Sequence, residues 1–197
     1  MASVDASRDH ILTPIPLTRQ SILPFGDVIS SEGIEPVART PGEEAPYGGT
    51  IDGYRGGLVE SKEPVELIMP RFRVREFRVL FMERHPEFSQ TYIPVTAQPY
   101  VWVLARPEAE LVDGCPSLHE LQAFIQPGDM AIRMHPGTWH EAPMPFRDGL
   151  RFINLSQLSL TDAVFESRDE RGEIHRLPWI ERVTVERLGV TIRIGLA

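Results

Sequence analysis

The stretch from Met82 to Pro94 carries side chains suited to both acid–base chemistry and metal binding. It reads MERHPEFSQTYIP and contains Glu83, His85 and, five residues after the histidine, Gln90. Imidazole exchanges protons near neutral pH, and imidazole nitrogens together with carboxylate and amide oxygens can ligate divalent metals. We therefore take Glu83, His85 and Gln90 as candidate catalytic residues.

A second polar stretch, residues 133–144, follows about forty residues later and reads RMHPGTWHEAPM. Its His140 completes the candidate catalytic set. Its neighbours Arg133, His135 and Trp139, together with Tyr92 of the first stretch, are the candidate substrate-binding residues. Arg133 is the best candidate to hold a carboxylate, because a guanidinium can bind both carboxylate oxygens at once.

Two kinds of chemistry fit this set of residues. The first is metal-free acid–base catalysis in which one histidine is the base and another the acid. The second needs one divalent metal, Ni, Mn or Zn, whose ligands would be His85, Gln90 and His140. The residues themselves leave both open. An inward-facing Glu83 must in either case be paired, protonated or ligated, and Arg133 or His135 could pair with it.

The segments around these residues have the pattern of short β-strands. Phe81 and Glu83 alternate with Met82 and Arg84, so Glu83 and His85 are predicted to face the interior. A hairpin after His85 would then return Gln90 to the same face. Residues 100–105, YVWVLA, form a nearly continuous apolar run that indicates a strand buried on both faces.

Strands of about six residues separated by Pro/Gly turns are typical of an all-β sandwich or barrel. The 18 prolines along the chain also disfavour long helices. The spacing of Glu83, His85, Gln90 and His140 matches the two metal-binding motifs of cupin barrels, although Glu83 stands where a His is usual and Gln90 where a Glu is usual. The second motif also differs, because Pro136 and Gly137 are adjacent instead of separated by one residue. We therefore predict an all-β, cupin-like antiparallel β-barrel (jelly roll) with few short helices.

Length and composition fit a single domain spanning residues 1–197. Residues 1–11 are predicted to be a loose leader and residues 162–197 a C-terminal extension. The net charge of −8 argues against nucleic acid and anionic membranes as partners. The single cysteine, Cys115, suits a reducing compartment, and no apolar run reaches membrane-spanning length, so the expected location is the cytoplasm.

The motifs ERHPxxSQxxIP and GTWHxxP, with PLTRQSILPFGDVI near the N-terminus, resemble the ureidoglycolate lyase family from about Leu12 to about Gln157. The resemblance implies a cupin-like barrel, usually a homodimer, that splits ureidoglycolate into glyoxylate and urea in allantoin breakdown. It also implies a small carboxylate substrate, a divalent metal in some members, and Glu83, His85, Gln90 and His140 as the site.

The chain departs from the family pattern at Glu141, which appears as an insertion, near Asn154, and in the residues after Thr161. These departures leave two alternatives open. One is a related cupin lyase, isomerase or cyclase acting on another small substrate, and the other is a non-catalytic barrel that binds a small carboxylate.

Overall fold

The computed structural model describes residues 8–30, 54, 59, 61 and 63–196. Within them the fold is almost entirely β-structure, as the alternating patterns predict, and it is organised in two large sheets. The first seven residues of the predicted leader lie outside the described residues. Residues 8–11 of that leader form a strand instead of a loose segment.

The larger sheet has eight strands and contains Glu83 and His140. Along its main path the order is β16 (Ile174–Leu177), β17 (Ile180–Thr184), β6 (Phe81–Arg84), β13 (Trp139–His140), β8 (Tyr100–Ala105), β11 (Gln122–Gln126) and β2 (Ile15–Pro16), with β14 (Met144–Pro145) also paired to β8. Most neighbours are antiparallel, whereas β2 joins β11 in parallel.

The smaller sheet has six strands. Its order is β3 (Gly26–Ile29), β12 (Ala131–Met134), β7 (Thr91–Pro94), β15 (Leu150–Gln157) and β4 (Val65–Ile68), with β5 (Arg71–Phe72) also paired to β15. A short hairpin, β9 (Leu111–Val112) with β10 (Cys115–Pro116), lies apart from both sheets.

The two large sheets face each other across an apolar core. Tyr100, Trp102 and Leu104 of β8 pack there against Tyr92 and other side chains of the six-stranded sheet. The alternate residues of β8 pack on the opposite side, so this strand is buried on both faces as its sequence predicts. The sheets do not close into one continuous ladder, so the cupin-like fold is a two-sheet jelly roll rather than a closed barrel.

The C-terminal extension is part of the folded body. Its β16 and β17 extend the eight-stranded sheet, and β18 (Val190–Ile194) pairs in parallel with β1 (Arg8–Leu12). Gly189 ends the intervening 3-10 helix in the left-handed region at φ 68°, a conformation that favours glycine.

Two α-helices are present among the described residues. In α1 (Arg19–Ile22) the Thr18 side chain caps the first turn. The second helix, α2 (Leu158–Glu166), follows directly on β15. Neither helix of this described part has the length or apolar character needed to cross a membrane.

Candidate active site

Glu83 and His140 lie side by side on neighbouring strands of the eight-stranded sheet. They are direct partners in the β6–β13 ladder, so both side chains leave the same face of the sheet. That face is the one turned toward the six-stranded sheet, where both residues line a cavity. Glu83 is therefore inward-facing as predicted.

The turn that precedes His140 is held by the backbone. Gly137 has φ 83°, a conformation that favours glycine, and its N–H donates to the His85 carbonyl at 2.8 Å. The Thr138 hydroxyl donates to the carbonyl of Phe25 at 2.8 Å. This Pro-Gly-Thr turn thus fixes His140 relative to His85, although the two are far apart in sequence.

The two imidazoles present their Nε2 atoms to one carboxylate oxygen. Nε2 of His85 lies 3.3 Å from Glu83 Oε1, and Nε2 of His140 lies 3.8 Å from the same oxygen. The Nδ1 atoms face carbonyls, at 3.3 Å from Trp179 O for His85 and 3.2 Å from Thr138 O for His140. A carbonyl can only accept, so each Nδ1 carries a proton, and a ring that is neutral keeps a lone pair on Nε2.

With both rings neutral, three electron-pair donors converge on one point, and either a proton on one Nε2 or a metal ion between them would offset their repulsion. Ligand atoms of Glu83, His85 and His140 all lie within 4.8 Å of one another. The buried Oε1 of Gln90, which lines the adjoining cavity, has no hydrogen-bond partner among the described residues. Two imidazoles, a carboxylate and a nearby amide form a donor set that fits a divalent transition metal.

Burial and neighbouring charges set the protonation of this cluster. Burial alone would raise the pKa of Glu83, but the hydrogen bond and charge of His85, with the charges of His140 and Arg182, lower it to about 2. Burial and the charge of His85 lower the pKa of His140 to about 4, against the opposing pull of Glu83. Glu83 is thus ionised and His140 neutral at physiological pH.

The six-stranded sheet supplies the opposite wall. Tyr92 of β7 and Asn154 of β15 are direct ladder partners and both line the cavity, together with Gln90 and Ser156. Burial, with the charge of Glu83, raises the pKa of Tyr92 well above its ordinary range, so the phenol keeps its proton. The Tyr92 ring is held edge-on against Trp102, with ring centroids 4.8 Å apart.

Gln90 reaches the cavity by a different route from the one predicted. We expected a hairpin from β6 to bring it alongside Glu83, but β6 and β7 belong to different sheets. The turn at Pro86–Glu87 carries the chain across the cavity, so Gln90 enters from the wall opposite Glu83.

The cavity has two adjoining compartments of about 200 and 230 Å³ that share Phe72, Glu83 and Tyr92. Such volumes are below the usual range for drug-sized ligands and suit a small metabolite. His140 lines the first compartment and His85 lines the second, with Glu83 between them.

Three predicted substrate-binding residues do not line this cavity. Arg133 forms an ion pair with Asp27 of the adjacent strand β3, and His135 lies 3.8 Å from the same carboxylate. Met134 and Ile132 of β12 fill the core, so the alternating Arg133 and His135 point to the other face of the sheet. They do not pair with Glu83 as we had suggested.

Trp139 is the third of these residues. It precedes His140 on β13 and therefore packs on the opposite side of the eight-stranded sheet, fully buried in the second core cluster. The guanidinium of Arg84 covers its ring at 4.5 Å. Tyr92 is the one member of the predicted substrate-binding group that faces the cavity.

Sequence reasoning missed Arg182, which belongs to the C-terminal extension. It is the direct ladder partner of Glu83 on the side opposite His140, and its Nε lies 3.8 Å from Glu83 Oε2. Nothing in the sequence indicated that the strand containing Arg182 pairs with β6.

Glu141, which appeared as an insertion, is a buried structural residue. Its Oε2 accepts hydrogen bonds from the N–H groups of Leu80 and Phe81 at 2.5 and 3.1 Å, and its Oε1 from Ala142 N at 2.8 Å. Arg75 completes the set at 3.2 Å. The carboxylate thus stabilises the irregular backbone at the start of β6.

Known proteins are similar to this chain over most of its length. The family described as ureidoglycolate lyase matches residues 9–169. A protein named ureidoglycolate lyase from Azotobacter vinelandii is 24% identical over 170 residues, covering 85% of this chain and 99% of its own. A Burkholderia mallei protein of that name is 28% identical over 165 residues, covering 78% and 92%.

A third relative, from Pseudomonas fluorescens and also named ureidoglycolate lyase, is 30% identical over 168 residues, covering 81% of this chain and 94% of its own. The matched region contains Glu83, His85, Gln90 and His140, and it ends before Arg182. On its sequence match and on the fold described above, this chain belongs to the ureidoglycolate lyase family.

Proposed function

We propose that this protein is an enzyme that cleaves the C–N bond of ureidoglycolate and releases glyoxylate and urea. The observation that carries the proposal is the convergence of Glu83, His85 and His140 at a small, half-enclosed cavity within the region matched by the family. The alternatives of another small substrate or a non-catalytic barrel have no observation in their favour.

The residues suit the proton movements of this reaction. Ureidoglycolate carries a hydroxyl and a ureido nitrogen on one carbon, so removal of the hydroxyl proton forms the aldehyde as the C–N bond breaks. Nε2 of neutral His140 accepts that proton. His85, in its protonated form, delivers a proton to the departing ureido nitrogen, and Glu83 stabilises positive charge on either ring.

The two histidines must return to their starting protonation states after each turnover. After cleavage His140 is protonated and His85 is neutral, and Glu83 lies between their Nε2 atoms, so a proton returns to His85 by way of solvent or this carboxylate. The phenol of Tyr92 and the amide groups of Gln90 and Asn154 face the same space and offer hydrogen bonds to the ureido group.

A divalent metal fits the same donors. Glu83, His85 and His140, with Gln90, would hold it, and when bound it would act as a Lewis acid toward substrate oxygen atoms. Gln90 is the weakest ligand of this group, because an amide oxygen carries no net charge.

The proposal is tested by assaying purified protein with ureidoglycolate and measuring glyoxylate and urea, with and without added Ni, Mn or Zn. We expect H85A and H140A each to lower kcat by about 10²-fold or more, because each removes a proton-transfer group. H119A is the matched control, since the His119 side chain is 68% exposed and lies outside the cavity.

Turnover that survives in both H85A and H140A would contradict the assignment of these residues. Absence of turnover in the wild type under every metal condition, with folded protein, would contradict the proposed substrate.

We also propose that the protein is a cytoplasmic homodimer. The dimer follows the family resemblance and is supported by the apolar outer face of the six-stranded sheet, where Val65 and Leu67 are 42% and 67% exposed. The cytoplasmic location is supported by a free, buried thiol at Cys115.

A further inference from the structure

The C-terminal extension places an arginine at the cavity. β17 pairs with β6 so that Arg182 stands opposite Glu83, and Glu83 stands opposite His140 on the far side. Residues paired directly across a ladder share a face, so the three side chains form one row directed at the cavity. Arg182 lines the compartment that also contains His140 and Tyr92.

The guanidinium of Arg182 is held in place without using its hydrogen-bond donors. It stacks over the Phe81 ring at 4.2 Å from the centroid, and its Nε lies 3.8 Å from Glu83 Oε2, beyond hydrogen-bond distance. No hydrogen bond joins this guanidinium to any other residue that the structure describes. Five N–H donors in a fixed plane are therefore available beside the site.

The other arginines near the site are already engaged. Arg75 donates to Arg78 O and Ala142 O and is paired with Glu141, and Arg84 is paired with Glu181 at 2.5 Å. Arg133 is paired with Asp27 across the six-stranded sheet from the cavity. Within the described lining of the two compartments, Arg182 is the single Arg or Lys.

The chemistry of the lining gives this cation a role. The compartment contains two carboxylates, of which Glu141 is satisfied by backbone N–H groups and Arg75. A substrate carboxylate entering beside ionised Glu83 would be repelled unless a cation stood between them. An arginine whose guanidinium N–H groups have no hydrogen-bond partner can bind such a carboxylate through two parallel hydrogen bonds.

We propose that Arg182 is the substrate-carboxylate subsite of this enzyme, supplied by the segment beyond the family-matched region. The inference rests on the proposed function, and it adds a specificity determinant for α-hydroxy acids. A carboxylate on Arg182 directs the neighbouring hydroxyl along the row of paired residues toward His140, the proposed base. An alcohol that lacks the carboxylate offers the guanidinium no partner and binds weakly.

The test compares a carboxylate with its neutral isostere. Binding of glycolate and of glycolamide to the purified protein is measured by calorimetry for wild type, R182Q, R182K and the control R171Q, at matched metal content. Arg171 lies in the same extension, is exposed and does not line the cavity. Thermal unfolding of each variant verifies that it is folded.

We expect R182Q to weaken glycolate binding about tenfold or more, the size of a charge-assisted hydrogen-bond loss, while glycolamide binding stays within about twofold. R182K keeps the charge but loses the planar arrangement of N–H donors, so its affinity for glycolate should lie between those of R182Q and the wild type. With ureidoglycolate as substrate, R182Q raises KM more than it lowers kcat, because carboxylate binding is shared by ground and transition states. R171Q matches the wild type throughout.

The outcomes separate the two proposals. Wild-type turnover of ureidoglycolate together with unchanged glycolate binding in R182Q overturns the carboxylate subsite and leaves the lyase proposal standing. Arg182-dependent glycolate binding without turnover supports the subsite and overturns the proposed substrate. If R182Q lowers kcat and changes the binding of glycolate and glycolamide equally, Arg182 acts by positioning Glu83. That outcome also overturns the subsite.

Discussion

At the scale of single residues, the site is defined by how burial and charge set protonation. Glu83 keeps its charge despite burial because two imidazoles and a guanidinium surround it, and its pKa falls to about 2. His140 loses its charge for the complementary reason, since burial and the charge of His85 lower its pKa to about 4. A carboxylate beside a neutral imidazole can act in proton transfer and can also receive a metal.

These shifts predict an acid-labile fold in the metal-free protein. His140 has an ordinary pKa of 6.5 when unfolded, so between pH 6.5 and about 4 the unfolded chain binds more protons and stability falls as pH falls. Glu83 adds a further loss from pH 4.5 down to about 2, because its folded pKa is the lower one. Above pH 6.5 neither group changes stability.

We expect EDTA-treated protein to lose on the order of a few kcal/mol of unfolding free energy between pH 6.5 and 4, part of it from His140. Urea unfolding at a series of pH values measures this. H140Q should have a flatter pH dependence in that window, while H119Q, at an exposed position, should follow the wild type. Equal slopes for H140Q and wild type would show that His140 titrates normally.

At the scale of elements, the C-terminal extension completes both the core and the site. Val183, Ile192 and Ile194 bury their side chains in the cluster behind the eight-stranded sheet. The Trp179 carbonyl lies 3.3 Å from His85 Nδ1 and fixes which ring nitrogen carries the proton. A segment without a counterpart in the matched region therefore stabilises the fold and holds a catalytic candidate.

This role predicts that a cavity in the extension destabilises the whole protein. Ile192 is fully buried on β18, whereas Ile11 on the paired strand β1 is 53% exposed. I192A should lower the unfolding free energy by about 2–5 kcal/mol, the usual cost of deleting buried methyl groups. I11A is the matched control and should change it by less than about 0.5 kcal/mol.

Urea denaturation of both variants makes this comparison. If I192A proved as stable as I11A, the Ile192 side chain would not contribute to the core as proposed.

At the scale of the whole molecule, the two sheets bury their facing sides but leave one outer face apolar. Val65, Leu67 and Ile93 on the outer side of the six-stranded sheet are 42%, 67% and 36% exposed. On this side Leu67 pairs with Leu155 and Ile93 with Ile153, so the apolar residues are contiguous across three strands. A face of this kind is typical of a protein–protein interface.

The proposed homodimer is expected to use this face. Light scattering coupled to size-exclusion chromatography should give twice the chain mass for the wild type and the chain mass for L67K, because a buried lysine in an apolar interface costs several kcal/mol. L111K, on the separate β9–β10 hairpin, should remain dimeric. A monomeric wild type would contradict the dimer, and a dimeric L67K would place its interface elsewhere.

The all-β class and the inward direction of Glu83 and His85 could be read from the sequence alone. Period-two alternation decides which side chains share a face, and so Glu83 and His85 could be assigned to one side before any contact was known. The buried strand β8 was likewise predictable, because its sequence is a nearly continuous apolar run.

Which strands are neighbours depends on the tertiary structure. Arg133 was the best candidate to hold a substrate carboxylate, but Ile132 and Met134 of its strand face the core, so Arg133 points to the other face of the sheet and pairs with Asp27. Gln90 crosses from one sheet to the other instead of returning by a hairpin. Arg182 reaches Glu83 across almost a hundred residues, because a ladder between distant segments depends on how the sheets pack and leaves no mark in local periodicity.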